Sequence, residues 1–296
     1  MNSLFEKIKK GIKDPQKAVR WVGINLKGSF QCKLIRNKVF QKKKIEQLLK
    51  QDKFCLIILD ACRYDYFEKE YKNYLKGNLE KVWSSGRNTF EFIRETFPKN
   101  YEITYISAMP AINSILSQMD ILKNEKLNTI YQGYAPKEHF AEIIDLWKSH
   151  YDPFLKTVLP HLVTQKAFDY LNRGRIIIHY AQPHHPYIGE PRLDLDIRGE
   201  ADSFPLRLLD SPIKKLKKEL KEGKLSKKEI KESYLGNLRL VLKEVVPLIT
   251  NFGNMTIIIT ADHGELLGED GLWFHPSRPH PNHPKLHEIP WLEIKK

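Results

Sequence analysis

One kind of segment recurs three times and limits the fold more than anything else in the chain. It is an apolar run rich in β-branched residues that ends abruptly in a side chain able to bind metal. Met255–Gly264 reads Met-Thr-Ile-Ile-Ile-Thr-Ala-Asp-His-Gly. Apolar character without alternation marks a strand buried on both faces, as in a parallel sheet. Phe54–Asp60 repeats the pattern and stops at an acid, followed by Ala61-Cys62-Arg63-Tyr64-Asp65. Arg175–Tyr180 is the third run and opens into Ala181-Gln182-Pro183-His184-His185-Pro186-Tyr187. Taken singly, Asp262 could be a helix cap with an incidental histidine beside it. Three buried strands tipped with Asp or His are a different matter. Open α/β sheets collect ligands at the carboxyl ends of their strands, and carboxylate with imidazole is a donor set for a metal.

Helical segments separate these runs. Tyr64–Leu75 reads as a polar-aromatic helix, and Phe90–Phe97 as a helix stopped by Pro98. Tyr101–Ser107 reads as a further strand, residues 114–150 as mixed helix and loop, and Thr164–Asn172 as a short helix feeding the third run. Residues 189–211, with Asp194, Asp196, Asp202 and Asp210, suggest a loop over the site, and lysine-rich 213–231, broken at Gly223, a surface hairpin of helices. Tyr234–Thr250 places Leu235, Leu238, Val241, Leu242, Val245, Val246 and Ile249 on one side of a long helix. Ile289–Ile294 reads as an edge strand. This alternation predicts an α/β fold with a mostly parallel central sheet and helices on both faces. Residues 1–50 carry Leu4, Phe5, Ile8 and Ile12 at helical spacing among lysines. They read as a basic helical extension, packed across the sheet or lying on a membrane surface, ahead of a catalytic domain over 51–296.

A hydroxyl stands where the Phe90–Phe97 helix begins. Thr89 is an acceptable N-cap, and it is equally placed to be a nucleophile at a positive helix terminus that welcomes an anion. Ser84 and Ser85 are its rivals. The excess of basic over acidic residues, 49 against 36 for a net +13, suits an anionic partner, although lysine-rich helices are commonly just solvated. Nucleic acid is disfavoured, since no recognised binding motif is present. Cys32, Cys55 and Cys62 are too few for a disulfide framework. No apolar run approaches the roughly 18 residues of a spanning helix, and the start lacks a signal-peptide apolar core. A cytoplasmic protein is expected, and peripheral membrane contact through residues 1–50 is the alternative to their packing across the sheet.

Four segments in this order resemble the sulfatase-like branch of the alkaline phosphatase superfamily, short archaeal members above all. They are Leu59-Asp60-Ala61-Cys62-Arg63-Tyr64-Asp65, His179-Tyr180-Ala181-Gln182-Pro183-His184-His185-Pro186-Tyr187, Tyr234-Leu235-Gly236-Asn237-Leu238-Arg239 and Ile259-Thr260-Ala261-Asp262-His263-Gly264-Glu265. His275-Pro276 and Ile289-Pro290-Trp291 fit as well, so the likeness spans about residues 50–294. It implies an alkaline-phosphatase-like three-layer sandwich. By the same resemblance Asp60, Asp262 and His263 would be metal ligands, and Thr89 a nucleophile that also touches the metal. His185 or His184, together with His275, would bind substrate oxygens or a second metal. Arg63 and Asp65 would stand behind the ligands, with Arg63 able to reach the anion.

The departures are informative. No cysteine or serine stands in the Cys/Ser-x-Pro-x-Arg context that is modified to formylglycine, and Ala61 replaces the second of the two aspartates that sulfatases place after the first strand. His263 contributes nitrogen, which favours zinc or manganese over calcium or magnesium. One or two ions are open, as no Asp-x-x-x-His pair is present. The expected activity is metal-dependent hydrolysis or transfer of phosphoesters, of phosphodiester, phospho-glycan or phospho-lipid type, through a covalent Thr89 intermediate. The alternatives are a sulfuric ester hydrolase without formylglycine and a non-catalytic polyanion-binding protein on a degenerate hydrolase fold.

Overall fold

The three apolar runs form adjacent strands at the centre of a seven-stranded sheet. The computed structural model describes residues 38–193, 213–275 and 282–295. In chain order the first elements are α1 (Gln41–Leu48), β1 (Phe54–Leu59), α2 (Tyr64–Glu70), β2 (Asn78–Trp83), α3 (Thr89–Thr96) and β3 (Tyr101–Ser107). A pair of short helices, α4 (Gln118–Lys123) and α5 (Glu125–Tyr131), precedes β4 (Phe140–Asp145), α6 (Pro160–Phe168) and β5 (Arg175–Tyr180). The chain ends with α7 (Ile213–Lys221), the long α8 (Lys227–Asn251), β6 (Thr256–Thr260) and β7 (Glu288–Lys295). The strand order is β2-β7-β6-β1-β5-β3-β4, and β7 alone runs opposite to the other six. Every residue of β1 is buried, as its lack of polar alternation requires.

The register shows which helices cover which face. Ile58 of β1 lies level with His179 of β5 and Thr260 of β6, and side chains at matched positions of parallel strands share a face. Gln41 of α1 donates to Thr260 Oγ1 at 3.0 Å and to the Ala261 carbonyl at 2.7 Å, so α1 covers that face, with α3 packed beside it. Tyr180, one residue on, points the other way and meets Thr164 Oγ1 of α6 at 2.8 Å. Helix α8 packs against α6 on this second face. The result is the α/β arrangement expected, a mostly parallel sheet with helices on both sides.

Several boundaries differ from the sequence reading. The Ile289–Ile294 strand is not an edge: β7 lies between β2 and β6, with Ile289, Trp291 and Leu292 buried. The edge is β2, whose half-exposed residues disguise it. Residues 114–150 contain the opposite edge, β4, likewise half exposed. The second arm of the lysine-rich hairpin merges into α8, which starts at a Ser226–Glu229 capping box. Residues 40–50, grouped with the extension, belong to the α/β unit: Ile45 and Leu48 are in its core. The basic extension from 1 to 37 and most of the Asp-rich 189–211 segment lie outside the described residues. Among the described residues no helix is long and apolar enough to cross a membrane.

Candidate active site

Period two along the strands carries the chemistry out of the sheet. Two residues beyond Ile58 and Thr260, on the face that α1 and α3 cover, stand Asp60 and Asp262; both are buried. Asp262 is held from two sides. Its Oδ1 accepts the main-chain N–H of Ala61 at 3.1 Å and of His263 at 2.9 Å, and Oδ2 is left to accept the Thr89 hydroxyl at 2.8 Å. His263 Nδ1 lies 2.7 Å from the Gly264 carbonyl. A carbonyl can only accept, so Nδ1 carries the proton and the Nε2 lone pair faces the site. That Nε2 is buried without a hydrogen-bond partner, 3.4 Å from Asp60 Oδ1 and 3.4 Å from Asp262 Oδ2.

The structure therefore brings together Asp60, Thr89, Asp262 and His263. Burial, reinforced by the nearby His275, holds the His263 pKa well below the ordinary imidazole range. Two buried carboxylates beside a neutral imidazole make a centre that calls for a cation. Ligands at about 2.0–2.1 Å from a tetrahedral ion are about 3.4 Å apart, and the two His263 separations match. The donor set of two carboxylates, an imidazole and a hydroxyl fits zinc or manganese.

Thr89 is not the N-cap that the sequence suggested. Asn88 caps α3, accepting the Glu91 N–H at 2.9 Å, and Thr89 is the first helical residue. Capping by the preceding side chain leaves the Thr89 hydroxyl free for Asp262. The rival hydroxyls have other partners: Ser84 donates to the Asp262 carbonyl and Ser85 pairs with Thr96 at 2.7 Å. Thr89 is the nucleophile candidate that touches the centre.

A file of imidazoles leads outward from His263. The His263 and His275 ring centroids are 4.5 Å apart, and those of His275 and His184 are 5.0 Å apart. His185 packs beside His184 at 4.1 Å and on Phe274 at 4.8 Å. His275 Nδ1 lies 3.0 Å from Oε1 of Glu265, a buried carboxylate. Burial opposes charge on His275, but Glu265 outweighs it and raises the pKa. The loop bearing His184 and His185 is fixed by Asn237 of α8, whose Oδ1 accepts from Ile188 and Gly189 at 2.8 Å each and whose Nδ2 donates to the carbonyls of His184 and Pro186. Gly189 and Gly236 make this possible: a Cβ on Gly189 would collide with the Gly236 backbone, and one on Gly236 with Glu190. Asn237 and Gly236 stand in a motif noticed in the sequence, but their task was not readable there.

Arg63 has a different place from the anion-binding one. Its Nε and Nη2 fork onto Asp65 at 2.9 and 2.7 Å, and Nη1 reaches Glu269 at 2.7 Å and the Glu265 carbonyl at 3.2 Å. The guanidinium thus ties the turn after β1 to the Glu265–Glu269 segment, and its charge lowers the Asp65 pKa to about 2 against the effect of burial. Cys62 is a buried thiol whose pKa burial drives up, which suits packing.

Together these features define an α/β protein with a threonine hydroxyl, two carboxylates and an imidazole gathered at the carboxyl edge of a parallel sheet. No family model matches the chain, and no curated protein matches it. Among solved structures it is similar to the soluble domain of lipooligosaccharide phosphoethanolamine transferase A from Neisseria meningitidis, at 13% identity and TM-score 0.47 over 82% of this chain and 76% of that one. It is also similar to the C-terminal periplasmic domain of phosphoethanolamine transferase EptC from Campylobacter jejuni, at 14% identity and TM-score 0.49 over 83% and 80%. A third is the phosphonate monoester hydrolase SpPMH from Silicibacter pomeroyi, at 14% identity and TM-score 0.46 over 83% and 68%.

Proposed function

We propose that the chain is a metal-dependent enzyme of phosphoester chemistry, a hydrolase or a transferase, in which Thr89 is transiently esterified. The observation that carries this reading is the Thr89 hydroxyl 2.8 Å from Oδ2 of buried Asp262, at the first turn of α3 and beside Asp60 and His263. Asp60, Asp262 and His263, with Thr89 completing the set, would hold a divalent ion, which would supply Lewis acidity to ease loss of the hydroxyl proton and to neutralise phosphoryl charge.

The side chains account for the remaining work. Asp262 Oδ2 orients the hydroxyl and is the first acceptor for its proton. The Thr89 oxygen forms the new bond to phosphorus as the ester oxygen departs, and the N-terminal end of α3, where Thr89 stands, presents its positive pole to the anion. His275, which Glu265 keeps basic, gives the departing oxygen a proton. Water or an acceptor hydroxyl then breaks the Thr89–phosphorus bond, restoring the hydroxyl and returning a proton to His275. His184 and His185 line the approach, where the rest of the substrate lies. The resemblance carried by the sequence motifs favours a phosphodiester or a phosphorylated glycan or lipid over a small monoester, and the basic surplus of the chain suits an anionic substrate of any of these kinds.

The test is turnover of nitrophenyl phosphate diesters, monoesters and sulfates with added zinc or manganese, beside Thr89→Ala and Ser84→Ala. Diester cleavage that a chelator stops and Thr89→Ala abolishes is the expected result. Full activity in Thr89→Ala would remove the covalent route. Cleavage of sulfates alone would transfer the reading to a sulfuric ester hydrolase.

A further inference from the structure

One imidazole at this centre has no task in the chemistry above. His179 lies on β5, level with Ile58 and Thr260 and on the same face. Asp60 and Asp262 follow two residues beyond those partners, so His179 forms the floor beneath the two carboxylates. It is wholly buried, and its Nε2 has no hydrogen-bond partner among the described residues. Nδ1 lies 2.9 Å from the hydroxyl of Tyr105, which is buried on the adjacent strand β3. With the proton on Nδ1 donated to that oxygen, the Nε2 lone pair is directed at the carboxylates. One ligand atom each of Asp60, His179 and Asp262 lies within 4.8 Å of the others.

The distance chooses between two tasks for that nitrogen. His179 Nε2 is 3.8 Å from Asp262 Oδ2, too far for a hydrogen bond. Two donors each about 2.0–2.2 Å from one ion can be separated by about 3 to 4 Å. A ligand imidazole is ordinarily steadied through its other nitrogen, and Tyr105 steadies this one.

We infer that His179 is a further nitrogen ligand of the metal centre, entering from the floor of the sheet and held in place by Tyr105. This rests on the metal-centre reading given above. Its consequence is that Asp60, Asp262, His263 and His179 would hold the ion without depending on the Thr89 hydroxyl.

The experiment is performed on the full chain loaded with zinc and uses no turnover. X-ray absorption counts imidazole donors, and competition against a chromophoric chelator gives the affinity. The wild type should show two imidazoles, and His179→Ala and His263→Ala one each. His179→Ala should weaken zinc binding by roughly 100-fold, and Tyr105→Phe, which keeps every donor atom, by about tenfold. Circular dichroism verifies that each variant is folded; if His179→Ala is not, His179→Gln takes its place. A wild type with one imidazole, or a His179 variant with unchanged count and affinity, overturns the assignment while leaving the centre intact. Absence of zinc binding in the wild type, or binding unaffected by Asp262→Asn, overturns the metal centre and this inference with it.

Discussion

At Thr89 the decisive feature is what surrounds a single hydroxyl. Three hydroxyls lie close in sequence, and partners separate them: Ser84 holds the Asp262 main chain, Ser85 holds Thr96, and Thr89 meets the Asp262 side chain. Thr89→Ala should therefore lower turnover by roughly 10³-fold or more, whereas Ser84→Ala should leave turnover close to that of the wild type. Each variant loses one buried hydrogen bond to Asp262, so both should melt somewhat below the wild type, and initial rates beside thermal melts separate the catalytic loss from the structural one. His275 sets the pH dependence. Its raised pKa extends the protonated form to higher pH, so activity that needs this acid falls as pH rises through that value. Glu265→Gln removes the charge responsible and leaves burial, which acts in the other direction. The alkaline limb of the rate profile should then move to lower pH, and a limb that stays in place would remove His275 as the acid.

Among the elements, those buried on both faces were legible in the sequence and those half exposed were not. β1, β5 and β6 announce themselves by apolar runs without alternation, and because an Asp or His follows each, most of the proposed metal centre is legible with them. β2 and β4 are edges whose mixed residues look like loop, and β7 reads as an edge because nothing local says that β2 pairs outside it. The task of His179 is hidden for a related reason. Its residue type is visible, but its place beneath Asp60 and Asp262 depends on the register of β5 against β1, a pairing between distant segments. Asn237 is likewise meaningful only once α8 is docked beside the histidine loop. Asn237→Asp keeps the oxygen that accepts from Ile188 and Gly189 but loses the donors to the His184 and Pro186 carbonyls. Leaving buried carbonyls unsatisfied and burying a charge should lower stability by about 2–4 kcal/mol, measured as a lower denaturant midpoint at unchanged slope. A midpoint within experimental error of the wild type would mean that the loop is held by other contacts.

In the molecule as a whole, the proposed chemistry and the stability of the sheet make opposite demands on the same few residues. The core is built on the largely apolar strands β1, β5 and β6, yet their shared edge gathers two buried carboxylates with neutral imidazoles. Without a cation the like charges of Asp60 and Asp262 oppose folding; with one they attract it. Metal should therefore stabilise by mass action, by about 2.7 kcal/mol at a hundredfold excess over Kd. For a domain of this size that corresponds to a rise of about 5–10 °C in Tm. Asp262→Asn isolates the trade. The amide oxygen can still accept from Ala61 and His263, and the amide nitrogen can donate to the Thr89 oxygen, so the local hydrogen bonds survive while one buried charge disappears. In a chelator the variant should melt above the wild type, and in saturating zinc below it. Thermal melts of both proteins in both conditions decide the matter: curves that fail to cross, with the variant the less stable throughout, would mean that Asp262 serves the fold and not a cation.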